Sequence, residues 1–254
     1  MTAGGAAARP LTLVTGGTRG IGAAVALRLA AAGHDLVLGY AADDDAAAAT
    51  AAAVARHGAA CALVRADVTT DDGVADLFAR AAEAGRLTGV VNNAGATLHV
   101  GPLAETPAHV VRRVVDLNLT AAVLVARAAV RALSTARGGA GGVLVNVSSA
   151  AATTGAPGEY VHYAAAKAGV DALTRGLALE VAGEGVRVVG VAPGTVDTGI
   201  HAGAGDPGRA ARVAAAHPMG RVGTPQDVAD AVAFLLSDAA AYVAGTTLRV
   251  AGGR

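Results

Sequence analysis

Short valine- and leucine-rich runs alternate along this chain with longer alanine-rich stretches. The short runs are apolar at nearly every position rather than at every second one, as in parallel strands buried on both faces. They predict strands at Leu11–Thr15, Asp35–Tyr40, Cys61–Ala66, Val90–Asn92, Val143–Val147, Arg187–Ala192 and Thr247–Val250. The intervening stretches predict helices at Ile21–Ala32, Asp45–His57, Asp71–Ala84, His109–Asn118, Ala121–Ala136, Tyr163–Ala182 and Pro225–Ser237. Alternation of this kind implies an α/β fold, a doubly wound parallel sheet with helices on both faces. No Ser/Pro linker divides the 254 residues, which suit a single domain over 1–254 with a full core.

Composition narrows the function classes. Twenty basic residues balance twenty acidic ones along the chain, so nothing attracts nucleic acid or an anionic membrane electrostatically. Cys61 is the only cysteine, which removes any internal disulfide or cysteine metal cluster and fits a reducing compartment. MTAGGAAARP does not read as a signal peptide, and no stretch of about 18 strongly apolar residues suggests a spanning helix. The expected location is cytoplasmic, with no metal, nucleic-acid or membrane partner.

The chemistry concentrates between Val143 and Ala168. A strand run leads to Ser148-Ser149, then a Gly/Pro loop, then Tyr163-Ala-Ala-Ala-Lys167. Residues four apart share a helix face, so one ammonium can sit beside one phenol. A nearby cation favours phenolate and lowers the tyrosine pKa from near 10. A serine hydroxyl could then hold a substrate oxygen against that phenol. Nineteen of the twenty basic residues are arginine, so Lys167 is the sole lysine. A pKa-tunable ammonium differs in kind from a fixed guanidinium fork. Alone, the pair also reads as one surface lysine beside a core tyrosine.

Other motifs fall at strand ends. Thr15-Gly16-Gly17-Thr18-Arg19-Gly20-Ile21-Gly22 follows the first strand and opens a helix. Glycines there let backbone approach a pyrophosphate at a helix N-terminus. At the second strand's end Gly39-Tyr40-Ala41 stands where a carboxylate would bind a ribose 2′-hydroxyl, and Arg19 could meet a 2′-phosphate. Together they favour NADP over NAD. Asp43, Asp44 and Asp45 read as N-caps of the next helix, and would weaken that preference if they folded back. Asp67-Val68 closes the third strand, as an adenine contact or a cap for the helix at Asp71. Asn92-Asn93-Ala94-Gly95 ends the fourth, fixing loop backbone or lining a cleft. Asn118 interrupts an apolar helical stretch, and a buried amide needs partners. Pro193-Gly194-Thr195-Val196-Asp197-Thr198 follows the sixth strand, at the edge where open α/β sheets bind ligands.

Taken together, TGGTRGIG, NNAG, DLNLT, SS…YAAAK, APGTVDT and PMGRVGTPQDVADAVAFLLSD resemble, in order and spacing, a short-chain dehydrogenase/reductase of the one-domain type, a Rossmann-like fold. The resemblance implies a catalytic set of Asn118, Ser149, Tyr163 and Lys167. Ser149 would polarise the carbonyl, Tyr163 exchange the proton, Lys167 bind the nicotinamide ribose and lower the Tyr163 pKa, and Asn118 hold a relay water. Implied cofactor contacts in the phosphate loop are Gly16, Thr18, Arg19, Gly20, Ile21 and Gly22. Beyond it they are Tyr40, Asp67, Val68, Asn93, Ala94 and Gly95. Tyr163, Lys167, Pro193, Gly194, Val196 and Thr198 complete them.

The family's serine-to-glycine spacing, to Gly155 here, selects Ser149 over Ser148. Tyr160 has no lysine four residues on and reads as a pocket wall. The loop before Tyr163 is one residue longer than in the commonest members. Substrate contacts are then Ser149, Thr153, Tyr160 and Tyr163, with His99 and Thr154 as further candidates. Residues 201–217, carrying Asp206, Arg209, Arg212 and His217, read as a lid. Glu184 replaces the basic residue usual in reductases of carrier-bound 3-oxoacyl groups. Arg112 and Arg113 fit either an anionic dock or an exposed helix face. The expected reaction interconverts hydroxyl and carbonyl on a small alcohol, sugar or ketone. Alternatives are 3-oxoacyl reduction and a non-catalytic dinucleotide sensor. The family also implies a homo-oligomer, dimer or tetramer.

Overall fold

The computed structural model describes residues 9–198, 208–215 and 217–254. Seven strands, β1 (Leu11–Thr15), β2 (Asp35–Tyr40), β3 (Cys61–Arg65), β4 (Leu87–Asn92), β5 (Gly142–Val147), β6 (Val186–Pro193) and β7 (Thr247–Val250), form one parallel sheet in the order β3-β2-β1-β4-β5-β6-β7. The order reverses between β1 and β4, which opens a crevice at their carboxyl ends.

Helices α1 (Gly20–Ala31), α2 (Asp44–Ala55) and α9 (Pro225–Leu236) cover one face. Helices α3 (Asp71–Ala84), α5 (Ala121–Leu133) and α7 (Val161–Val181) cover the other. Successive strand residues supply the two cores. Leu13, Val37, Val90, Leu144 and Val188 pack one way, and Val14, Leu38, Val91, Val145 and Val189 the other. Neither face could be polar without losing roughly 1.5–3 kcal/mol of transfer energy per side chain, hence the continuous apolar runs. A smaller cluster of Val114, Ala151, Ala156, Tyr160, Tyr163 and Ala164 underlies the carboxyl end of β5.

The doubly wound single-sheet expectation holds, and differences are local. Strand β4 starts at Leu87, upstream of the predicted Val90. Gly89 lies within it, and a Cβ there would meet Thr12 Oγ1 at 2.9 Å, so glycine is what lets β4 lie against β1. The helix predicted at His109–Asn118 is α4 (Ala108–Val115) followed by a π turn at Asp116–Thr120. Short helices α6 (Ala151–Thr154) and α8 (Arg209–Ala214) were not foreseen. Residues 201–207 and 216 of the expected lid, Asp206 among them, lie outside the described residues. No described helix is long and apolar enough to cross a membrane.

Candidate active site

A cleft of 1140 Å³ runs along the carboxyl edge of the sheet at the crevice. Its floor is the loop between β1 and α1. Gly16 (φ 60°) and Gly20 (φ 51°) adopt left-handed backbone that side chains resist. Gly22 is stricter, since a Cβ there would lie 2.0 Å from the Gly16 carbonyl oxygen. Asn93 Nδ2 donates to Thr15 O (2.9 Å) and Gly16 O (3.1 Å), while Thr15 Oγ1 accepts from the Asn93 and Ala94 amides. Of the two roles open to the NNAG turn, it therefore fills both, bracing the loop and lining the cleft. No side chain caps the start of α1, so its first amides are available to an anion.

At one end of the cleft Tyr40 donates to Asp44 Oδ1 (2.9 Å). Asp43 Oδ1 accepts from Ala46 N as the N-cap of α2, and its Oδ2 faces Arg19 Nη1 at 3.3 Å. Asp43 thus caps and folds back at once. The Arg19 side chain remains 73% exposed. Asp67 does not cap α3; Thr70 does, accepting from Gly73 N. Asp67 Oδ1 instead accepts from Thr69 N (3.0 Å) and Thr69 Oγ1 (2.7 Å), which holds its carboxyl below the usual range. Arg113 Nη2 approaches Asp67 Oδ2 at 3.8 Å, so Arg113 belongs to the cleft wall.

The other end carries the candidate chemistry. Helix α7 turns Tyr163 and Lys167 inward on one face, the lysine only 4% exposed. Lys167 Nζ donates to Val147 O at 2.8 Å and lies 5.7 Å from the Tyr163 ring centroid. Ser149 Oγ accepts from Ala151 N (3.2 Å) and hydrogen-bonds the phenol side of Tyr163. Ser148 Oγ turns instead to the Lys167 backbone carbonyl (3.2 Å), a structural tie within β5–α7 packing. Tyr160 stacks edge-on against Tyr163, with centroids 5.6 Å apart.

Burial acts on both titrating groups. It pushes the Tyr163 phenol well above its ordinary value, partly offset by Ser149. It pulls Lys167 down to about 8, opposed by Asp171. The sequence expectation of a phenol lowered by its lysine is offset here, because loss of solvent raises the phenol and outweighs the neighbouring ammonium.

Asn118, 1% exposed, occupies the π turn. Its Nδ2 donates to Ala96 O (2.8 Å) and Val114 O (2.9 Å), and its Oδ1 has no partner among the described residues. Gly95 separates it from the lysine: a Cβ there would sit 2.6 Å from Asn118 Oδ1 and 3.3 Å from Lys167 Nζ. Asn118 is thus behind the cleft wall rather than on it.

The remaining phosphate-loop, β3-end and β6-end candidates, Thr18, Ile21, Val68, Pro193, Gly194, Val196 and Thr198, all line the cleft. Thr153 does not. Its hydroxyl donates to Ala150 O and accepts from Arg249 Nη1 at 2.8 Å, on the outer side of α6; Thr154 lines the cleft in its place. Leu98, with φ 60°, projects into the substrate end, and no sequence signal marks a leucine for left-handed backbone. His99 Nε2 is buried without a hydrogen-bond partner among the described residues, and the buried His162 ring meets the Thr97 backbone. Burial lowers the His162 pKa. Glu159, Arg212 and Arg254 are charged wall residues that sequence reasoning missed or left unplaced. Glu184 is remote from all of this, bonded to Ser134 and Arg137.

Comparison with known proteins agrees with this geometry. A family profile described as enoyl-(acyl carrier protein) reductase matches residues 16–254. The chain is 44% identical over 251 residues to cis-4-hydroxycyclohexanecarboxylate dehydrogenase of Sinomonas cyclohexanicum, covering 98% of each. It is 41% identical to the uncharacterized oxidoreductase YgfF of Escherichia coli (strain K12), covering 96% of this chain and 99% of that one. The crystal structure of levodione reductase superimposes with a TM-score of 0.89 at 33% identity, over 96% of both chains. With these relatives, this sheet order and these motifs, the chain belongs to the short-chain dehydrogenase/reductase family and is an NAD(P)-dependent oxidoreductase.

Proposed function

We propose that this protein is an NADP(H)-preferring enzyme that interconverts a hydroxyl and a carbonyl on a small alcohol, sugar or ketone. One observation carries the reading: a buried phenol and ammonium and the half-buried Ser149 hydroxyl converge beyond the carboxyl end of β5, at the end of a cleft floored by a glycine-rich loop. The loop fits a dinucleotide, because Gly22 lets the Gly16 carbonyl pack directly against the first turn of α1, and α1 presents uncapped amides to the cleft. When bound, the nicotinamide cofactor supplies or takes the hydride and, oxidised, carries a positive charge.

The chain's own groups do the rest. Ser149 Oγ orients the substrate oxygen and polarises it. Tyr163 Oη delivers the proton in reduction and removes it in oxidation. Lys167 Nζ, held by Val147 O, fixes the nicotinamide ribose and contributes positive charge beside the phenol. Burial favours the neutral phenol, so proton removal draws on positive charge beside it. Asn118 Oδ1 offers a water acceptor for a relay out of the cleft. The cis-4-hydroxycyclohexanecarboxylate dehydrogenase relative supports a compact ring alcohol among the substrates. By family resemblance the working unit is a cytoplasmic dimer or tetramer.

NADP preference rests on Arg19. No carboxylate stands at the end of β2, where Tyr40 is engaged with Asp44. The exposed guanidinium can leave Asp43 for a dianionic 2′-phosphate, a fork-to-phosphate contact of the strong kind. Asp43 tempers the preference, since its Oδ2 faces the same guanidinium. Arg19→Ala is expected to weaken NADPH binding about 10-fold or more, in line with loss of a charge-assisted hydrogen bond. NADH binding should change little. Fluorescence titration of both reduced cofactors decides it, and equal losses would remove the 2′-phosphate assignment. Turnover itself is tested by absorbance at the reduced-nicotinamide band across ketones and alcohols. Tight cofactor binding with no turnover on any of them would favour the sensor alternative.

A further inference from the structure

The inward stripe of α7 continues past the catalytic pair. One turn beyond Lys167 it places Asp171, only 9% exposed. A buried carboxylate is costly unless strongly partnered. The hydrogen bond resolved to Asp171 comes from a neutral donor, Thr247 Oγ1 of β7, at 3.0 Å. The cations of the adjoining strands are directed elsewhere. Arg187 of β6 bonds the carbonyls of Val243 and Ser237, and Arg249 of β7 bonds Thr153 and the Arg254 carbonyl. Arg175, on the same helix, is exposed. The cation on the same buried face as Asp171 is Lys167, four residues back.

The surroundings of Lys167 tell the same story from the other side. Its ammonium donates to Val147 O of β5, its backbone carbonyl accepts from Ser148, and Gly95 of the β4 loop lies between the ammonium and Asn118. Among the described residues its titratable neighbour besides Asp171 is Tyr163, for which burial favours the neutral form. We propose that Asp171 is a positioning residue for Lys167, its anchored carboxylate being the counter-charge that keeps this side chain an ammonium inside the closed cleft. The functional meaning rests on the reading of Lys167 as a working ammonium; the electrostatic claim does not. Opposite charges one helical turn apart in a protein interior shift a pKa by about one unit. Lys167 already sits at about 8, so losing that unit would discharge it across neutral pH.

Lys167 is the sole lysine, so protein grown on [ε-13C]lysine carries a single labelled methylene whose chemical shift titrates with this one group. The wild-type midpoint is expected near 8. Asp171→Asn keeps an oxygen for Thr247 but removes the charge, and its midpoint should fall by about one unit. Asp171→Glu should bring it back towards the wild-type value. The pH at which NADPH affinity begins to fall should move with the midpoint, because cofactor is held by the charged form. If Asp171→Asn does not fold, Asp171→Ser is titrated in its place. A midpoint unmoved by loss of the charge, or a wild-type midpoint at the solvent value above 10, overturns the proposal. No turnover is needed, so a protein inactive on every substrate would sink the proposed function while leaving this test intact.

Discussion

Tyr163→Phe should fold, bind reduced cofactor nearly as tightly as the parent, and lose about 10²-fold or more in kcat, the scale of general acid–base catalysis. The substitution removes one oxygen and little else. The ring keeps its edge-on contact with Tyr160 at 5.6 Å, and Lys167 keeps its bond to Val147 O, which does not involve the phenol. Cofactor Kd by fluorescence and kcat by absorbance should therefore part company. A variant with parental kcat would place the proton exchange on another group, and a proportional loss in Kd would make Tyr163 a binding residue.

Much of this site was legible because its residue types are scarce or conformationally demanding. A solitary lysine in an arginine-rich chain pointed to Lys167, and its helical spacing fixed Tyr163. Strand-end glycines located the cleft floor before any geometry did. Ser148 and Ser149 were separable only by family spacing, and the structure gives the physical reason: one hydroxyl bonds α7 backbone and the other faces the phenol. What escaped is what depends on three-dimensional neighbours. VVDLNLT reads as ordinary helix, yet the π turn is what aims Asn118 at the backbone carbonyls of Val114 and Ala96. Thr153 and Thr154 differ by one step of α6, and that step decides which faces the cleft. The direction of the Tyr163 shift escaped too, since sequence reveals the cation but not the desolvation opposing it. No sequence signal marks Asp171, whose buried place depends on Thr247 of β7, 76 residues away.

The largest structural effect is expected at Gly22, in the first turn of α1. A methyl there would stand 2.0 Å from Gly16 O and 2.8 Å from Asn93 Nδ2, both well inside contact distance. The oxygen belongs to backbone fixed on both sides. Gly16 itself is at φ 60°, and its carbonyl is held by Asn93, whose amide also braces Thr15. Relief therefore requires the loop to move away from the helix, breaking the Asn93 bond and spreading the amides that face the cleft. Overpacking of this kind costs about 1–3 kcal/mol. For a chain of this size that lowers Tm by roughly 2–4 °C per kcal/mol. Gly22→Ala should thus melt several degrees lower and lose cofactor binding by 10-fold or more, with Tyr163 and Lys167 untouched. Calorimetry and cofactor titration read the two effects separately. Gly33→Ala is the control for added side-chain bulk, because nothing lies within 4 Å of a Cβ there, although its φ of 93° adds backbone strain. That variant should lose stability without losing cofactor affinity. If Gly22→Ala bound cofactor like the parent, the loop would not be the cradle its geometry describes, and the dinucleotide would have to lie elsewhere in the cleft.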